Sequence, residues 1–183
     1  CSMLASDAEW LELLRWCRAA FEGLLQQLEA ALDEEQRAAF RGGCWVVPER
    51  SWHICVGVFH EHPSLLPQDE QAHWRSVGAE EEARLAEALQ ARLGGLVQPR
   101  VTLDSLAVCG DGALIAGFLD DAAGSFEALR RAVADAGRSA LGGELTSRPK
   151  RLIHVTLGRA LRMPDGLRPE QRGAVAALVR GFN

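Results

Sequence analysis

The sequence predicts an α+β fold, and three observations support that prediction. Apolar residues recur at helical spacing in five segments, while shorter segments alternate apolar and polar residues as half-buried strands do. Glycine-rich breaks separate many of these segments. The chain has 183 residues, of which 48% are hydrophobic. That length and composition are sufficient for one compact core, or for two small lobes that share one.

Helices are predicted where apolar residues lie three or four positions apart along one face. The first begins with Ser6-Asp7-Ala8-Glu9, which matches a capping box. The last has Pro169 at a plausible first helical position, where the missing amide hydrogen costs nothing. The predicted helices span residues 6–32, 33–41, 79–93, 125–140 and 169–179.

Strands are predicted in five short segments, at residues 44–47, 51–60, 101–109, 113–119 and 152–157. Gly110-Asp111-Gly112 joins the third and fourth of these and predicts a hairpin. The order of elements is nearly symmetric about that hairpin. We therefore expect a single domain, residues 1–183, with two lobes. One lobe would contain residues 1–60 and about 144–183, and the other about 79–143, by the usual size of such units.

Charge and cysteine content limit the classes of partner. The formal net charge is -5, which argues against a general coat on DNA or RNA, since such binding requires a broad basic surface. The five cysteines are widely spaced and form no Cys-x-x-Cys pair, as expected of reduced thiols in an intracellular protein. We expect a cytoplasmic monomer. No membrane partner is expected, because no apolar run approaches the roughly 20 residues of a spanning helix. Position 1 is not methionine, which indicates a trimmed sequence from which a targeting segment can be missing.

Two strand segments repeat one pattern of side chains. In each, apolar residues on one face alternate with a histidine, a small hydrogen-bonding residue and a glycine on the other. The polar-face residues are His53, Cys55 and Gly57 in the first strand and His154, Thr156 and Gly158 in the second. In one such strand alone, the histidine is most simply a structural residue whose hydrogen bonds are satisfied within the sheet. Two matching strands favour a functional site, with each glycine leaving room for a ligand.

These segments resemble the paired His-x-Ser/Thr-x motifs of the 2H phosphoesterase superfamily, particularly its RNA 2',3'-cyclic phosphodiesterase branch. The flanks are similar as well: Trp45-Val46-Val47-Pro48-Glu49 precedes the first motif, and Arg159 follows the second. The similarity covers most of residues 44–161. Two features depart from the family pattern. Cys55 replaces the usual serine or threonine, and only Cys1 to Leu4 precede the first helix, so an edge strand is expected to be short or absent.

The resemblance implies a two-lobed fold in which antiparallel sheets line a central cleft and helices pack outside. It also implies an enzyme that hydrolyses a 2',3'-cyclic phosphate on an RNA end or a nucleotide without a metal or cofactor. His53 and His154 would be the general acid and base, since an imidazole has an unperturbed pKa of about 6.5. The sequence does not say which is which. Cys55 and Thr156 would donate to the phosphate oxygens, although a thiol donates more weakly than a hydroxyl.

Further substrate contacts are predicted at Arg159, Phe59 and Trp74. Arg159 would bind phosphate or base, and the alternative is a surface arginine at a strand end. The two aromatic residues would stack on a nucleobase, or belong to the core or its cover. A basic run at Arg148, Lys150 and Arg151 would guide an anion or be a solvated loop. RNA ends, small cyclic nucleotides, ADP-ribose cyclic phosphate and 2',5'-linked oligonucleotides all remain open as substrates.

Two rival interpretations use the same chain. His60, Glu61, His62 and His73 suggest a zinc site, but their spacing matches no strong motif. His62-Pro63-Ser64-Leu65 offers another His-x-Ser-x segment, although proline argues against a central strand there. The second rival is a non-catalytic nucleotide- or RNA-binding module on the same fold. In that case the replacement of serine or threonine by Cys55 would reflect a loss of efficient catalysis.

Overall fold

A computed structural model describes residues 2–4, 8–57, 78–142, 152–160 and 163–183. The fold class is α+β, as predicted. The α-helices in these ranges are α1 (Ala8–Ala30), α2 (Glu34–Gly42), α3 (Ala79–Leu93), α4 (Ser125–Leu141) and α5 (Pro169–Phe182). The strands are β1 (Ser2–Leu4), β2 (Cys44–Val46), β3 (His53–Cys55), β4 (Val101–Val108), β5 (Ala113–Asp120) and β6 (Ile153–Ala160).

The strands form one six-stranded sheet with the order β1-β3-β6-β5-β4, and β2 also pairs with β6. Both β2 and β3 run antiparallel to β6. Trp45 lies opposite Arg159, and Ile54 lies opposite Val155. Strand β6 therefore has neighbours along most of its length, and it contains the second predicted histidine motif.

The chain divides into two compact units. The histidine unit comprises Leu4–Ile54, Leu103–Phe118 and His154–Asn183, and the helical unit comprises Cys1–Met3, Cys55–Thr102 and Leu119–Ile153. Both units combine segments that are far apart in sequence. The boundaries fall inside the strands β1, β3, β4, β5 and β6, and His53 and His154 both belong to the histidine unit.

Helix α1 supplies the longest apolar stripe of the histidine unit. Its buried positions are spaced by three or four residues, as the periodicity predicts; they are Leu14, Cys17, Phe21, Leu24 and Leu28. Trp10 contacts Phe118 of β5 with ring centroids 4.8 Å apart, and Phe21 contacts Phe182 of α5 at 5.1 Å. The helix is therefore packed against both the sheet and the C-terminal helix.

The helical unit is organised by α3 and α4, which pack against each other. Asp120 caps the start of α4, where its carboxylate accepts hydrogen bonds from the amides of Phe126 and Glu127, both at 2.9 Å. These amides have no partner within a helix, so the carboxylate stabilises the first turn. Phe126 and Val133 of α4 are buried in this unit.

The structure differs from the predicted elements mainly around the first motif. The strand predicted at residues 51–60 is shorter, because a 3-10 turn (Glu49–Ser51) follows Pro48 and β3 contains only His53–Cys55 in the described part. A short N-terminal strand, β1, is present beside β3. The predicted capping box begins at Ser6, which lies outside the described residues.

Candidate active site

The pairing of β3 with β6 brings the two motif histidines to one face of the sheet. Because Ile54 lies opposite Val155 in an antiparallel ladder, His53 lies opposite Thr156 and diagonally from His154. Directly opposite residues have Cβ atoms about 5 Å apart, and diagonal neighbours are separated by about 7–8 Å. Two imidazoles at that separation reach a common small group lying above the sheet.

The burial pattern supports this assignment of faces. Ile54 and Val155 are 3% and 0% exposed, and both point into the core. His53 is exposed, and His154 and Thr156 are half-buried. The period of two along each strand therefore separates a core face from a face that carries both histidines, as the alternation predicts.

A local hydrogen bond orients His53. Its Nδ1 lies 2.8 Å from the backbone carbonyl oxygen of Ser51. A carbonyl oxygen only accepts, so Nδ1 carries the hydrogen and donates it. In the neutral ring the lone pair is then on Nε2, and Nε2 is the nitrogen that exchanges a proton with a ligand.

The carbonyl that orients His53 belongs to the 3-10 turn. The Ser51 amide donates to the Pro48 carbonyl at 2.8 Å, and the Trp52 amide donates to the Glu49 carbonyl at 3.0 Å. Trp52 is 1% exposed, and its indole Nε1 donates to the Val47 carbonyl at 3.2 Å. The buried indole thus anchors the end of the turn, directly before His53.

Cys55 ends β3 on the same face of that strand as His53. Its thiol is half-buried and donates to the Gly57 carbonyl oxygen at 3.8 Å, within the helical unit. A thiol at this distance donates only a weak hydrogen bond. The phosphate contact at Cys55 stays a prediction.

Packing explains why glycine stands at the two motif positions, and the sequence did not reveal this. A Cβ on Gly158 would lie 2.9 Å from the backbone oxygen of Trp45, too close for any other residue while β2 stays in place. A Cβ on Gly57 would lie 3.4 Å from Val133 Cγ1, which is a tight contact with α4. Gly158 therefore allows β2 to approach β6, rather than leaving room for a ligand as we expected.

Arg159 is not placed beside the histidines. Alternation along β6 puts it on the face of Val155 and Leu157, opposite Trp45. Its guanidinium forms an ion pair with Asp111 at 3.1 Å. The pKa of Asp111 is lowered, first by the hydrogen bond from the Ala113 amide and also by the charge of Arg159. This geometry matches the alternative given above, a strand-end arginine, more closely than a phosphate contact.

Several predicted positions fall outside the described residues. They are Phe59, Trp74, the proposed zinc ligands His60, Glu61, His62 and His73, and the basic run Arg148, Lys150 and Arg151. Among the residues that are described, no three His, Cys, Asp or Glu side chains are grouped so that they could hold a metal ion. The stacking and basic-run interpretations stay predictions.

Arg130 of α4 is a cation that sequence reasoning missed. Within the helical unit, its guanidinium donates to the Leu152 carbonyl at 2.7 Å and lies 4.9 Å from the centre of the Phe126 ring. The pKa of Arg130 is lowered by burial, and the nearby groups Glu127, Cys55 and Asp120 offset part of that effect. An available signal was an arginine four residues after a buried phenylalanine in the apolar stripe of a helix.

Comparison with known proteins gives no relative for this chain. No protein-family model, curated protein or solved structure matches it. Across the described ranges, every helix is too short or too polar to cross a bilayer.

Proposed function

We propose that this chain is a metal-independent cyclic phosphodiesterase that hydrolyses a 2',3'-cyclic phosphate on an RNA end or a nucleotide. The observation that carries the proposal is the register of β3 and β6, which sets His53 opposite Thr156 and diagonal to His154 on one face. Two imidazoles and a hydroxyl on one face are the groups needed to move two protons and to bind a phosphate oxygen.

The reaction uses the histidines on opposite sides of phosphorus. One imidazole takes a proton from water as the water oxygen forms a bond to phosphorus. The bond from phosphorus to one ribose oxygen breaks, and the other imidazole, protonated at the start, gives its proton to that oxygen. For His53 the reacting atom is Nε2, since Nδ1–H is donated to Ser51. The product is a phosphomonoester with a free ribose hydroxyl.

Thr156 and Cys55 complete the proposed site. The Thr156 hydroxyl, which lies opposite His53, would donate to a non-bridging oxygen whose negative charge increases in the transition state. Cys55 would contribute a second, weaker donor. Phe59 and Trp74 are proposed as stacking contacts to the remainder of the substrate, whereas the Arg159 guanidinium pairs with Asp111 on the other face of β6.

The decisive experiment measures turnover of 2',3'-cyclic nucleotides by the wild type and by His53→Ala and His154→Ala, with and without a chelator. Each histidine variant should lose about 10²- to 10⁴-fold in kcat, because each removes one proton transfer. The wild type should show a bell-shaped pH profile, and each variant should lose one of its limbs. The lost limb identifies the acid and the base.

The rival function, a nucleotide-binding module without activity, gives a different result in the same experiment. All three proteins would then bind the cyclic nucleotide with similar affinity and none would hydrolyse it. Loss of activity on chelation would instead contradict the metal-independent mechanism. A parallel screen of RNA ends, cyclic nucleotides, ADP-ribose cyclic phosphate and 2',5'-linked oligonucleotides would identify the substrate.

A further inference from the structure

An ion pair connects α1 to the turn that precedes His53. Arg15 Nε lies 3.1 and 3.2 Å from the two carboxylate oxygens of Glu49, and its Nη2 lies 2.8 Å from Oε2. The guanidinium thus presents two nitrogens to one carboxylate, which is a geometrically specific form of ion pair. The partners are 34 residues apart in sequence, so the contact is tertiary.

Glu49 begins the turn whose last residue orients the proposed catalytic histidine. The Glu49 carbonyl accepts the Trp52 amide at 3.0 Å, and the Ser51 carbonyl accepts His53 Nδ1 at 2.8 Å. A displacement of Glu49 therefore moves the hydrogen bond that selects the tautomer of His53. Arg15 lies on the helix with the most buried apolar residues, so it ties the turn to a well-packed element.

The exposure of the pair indicates that its role is positional. The side chains of Arg15 and Glu49 are 55% and 38% exposed, and ion pairs in such positions stabilise a fold only weakly. A proton-transfer group is far more sensitive to position, because misplacement by about 1 Å can reduce a rate about 100-fold. A contact that contributes little to folding can in this way matter for catalysis.

We propose that Arg15 and Glu49 are positioning residues, which fix the Glu49–Ser51 turn so that the Ser51 carbonyl keeps His53 in the tautomer with the hydrogen on Nδ1. The catalytic consequence rests on the function proposed above. The structural consequence, the tautomer of His53, does not depend on any activity. Neither residue touches the reacting atoms in this scheme.

The test compares Glu49→Gln and Arg15→Lys with Arg18→Gln as the matched control. Arg18 forms an ion pair with Glu22 on the same helix, at 2.8 Å, and acts on Glu49 only through its charge. Its loss therefore removes a comparable ion pair and a nearby charge, while the hydrogen bonds between Arg15 and Glu49 stay in place. Nitrogen-15 NMR of the histidine rings should show the Nδ1–H form of His53 in the wild type and in Arg18→Gln. In Glu49→Gln both tautomers should be populated, and in Arg15→Lys the change should be smaller.

Kinetics and a charge exchange supply the second readout. Glu49→Gln should lower kcat about tenfold and leave KM within about twofold, because the defect lies in proton transfer rather than in binding. The double variant Arg15→Glu/Glu49→Arg should restore most of the Nδ1–H population and of kcat. An unchanged tautomer and kcat in Glu49→Gln, or no recovery in a folded double variant, would overturn the proposal.

The two proposals fail in distinguishable ways. If the wild type hydrolyses no cyclic phosphate but Glu49→Gln alters the His53 tautomer and Arg18→Gln does not, the positioning role stands and the proposed chemistry is wrong. If the wild type is active and Glu49→Gln leaves both readouts unchanged, the positioning role is wrong. Should Glu49→Gln fail to fold, Arg15→Lys preserves the charge and decides the question through the same measurements.

Discussion

The two motif histidines are held by different means. His154 lies within an eight-residue strand that pairs with β2, β3 and β5, between the buried residues Ile153 and Val155. His53 begins a strand of three residues, is exposed, and takes its orientation from a turn just before it. The sheet therefore determines the position of His154, whereas a local turn and its anchors determine that of His53.

Substitutions should therefore disturb the two halves of the site in different ways. Changes around β6 should first affect folding, since that strand is built into the core. Changes in the turn should affect the geometry of His53 before they affect the fold, unless they remove the buried anchor of the turn. The following variants test this contrast, from the largest expected effect to the smallest.

Trp52→Ala should produce the largest loss of stability. It removes a side chain that is 1% exposed, and truncation of a buried aromatic residue costs about 3–5 kcal/mol. Trp45→Ala is the control, because Trp45 is 51% exposed and surface changes usually cost within about 0.5 kcal/mol. Urea denaturation measures both. Similar losses would show that Trp52 is not the anchor of the turn.

Gly158→Ala should destabilise the protein by about 1–3 kcal/mol, as expected when a methyl group is forced into a packed site. The new Cβ would lie 2.9 Å from the Trp45 carbonyl oxygen, so β2 must move away from β6. Gly57→Ala is the matched comparison, since its Cβ would meet only a side-chain methyl group of Val133, at 3.4 Å, and no backbone atom. A larger loss for Gly57→Ala in thermal unfolding would contradict this ranking.

Cys55→Thr should preserve the turnover of cyclic nucleotides or raise it by a few-fold. A hydroxyl donates a stronger hydrogen bond than the thiol to a phosphate oxygen. The effect should be confined to kinetics, with unfolding nearly unchanged, and Cys55→Ala should lower turnover under the same conditions. A collapse of activity in folded Cys55→Thr would point to a specific role of the thiol.

Asp111→Asn should have the smallest effect, and that effect should depend on pH. The pKa of Asp111 is lowered in the folded protein, so its ionised form contributes stability above the unfolded pKa of about 3.8, and the contribution is lost as pH falls through the lower folded value. The variant should melt slightly below the wild type at pH 7, and the difference should shrink as pH falls below about 3.8. A difference that does not shrink below pH 3.8 would mean that the charge is not responsible.

The pattern of elements was largely accessible from the sequence. The helix predicted at 79–93 is α3, and the predicted hairpin is formed by β4 and β5 around Gly112, whose φ is +77°. Such segments are specified locally, by apolar spacing and by glycine where the backbone requires a positive φ. The strand predicted at 51–60 was too long in the described part, because local composition does not show that Ser51 ends a 3-10 turn or that strand pairing stops at Cys55.

Fewer of the contacts around the site could be predicted from the sequence. The ion pair of Arg15 with Glu49 joins residues far apart in sequence, and no local signal indicates it. The same applies to Arg130, whose guanidinium meets the Leu152 carbonyl. The packing of β2 against Gly158 likewise depends on a neighbouring strand.

The sequence by itself determined that His53 and His154 each lie on the polar face of a strand, because the period of two along a strand needs no partner to be recognised. Only the tertiary structure decided that His53 lies opposite Thr156 and that Arg159 lies on the other face with Asp111 as its partner. The physical reason is that strand register and ion pairing join segments that are far apart in sequence, and both depend on how the whole core packs.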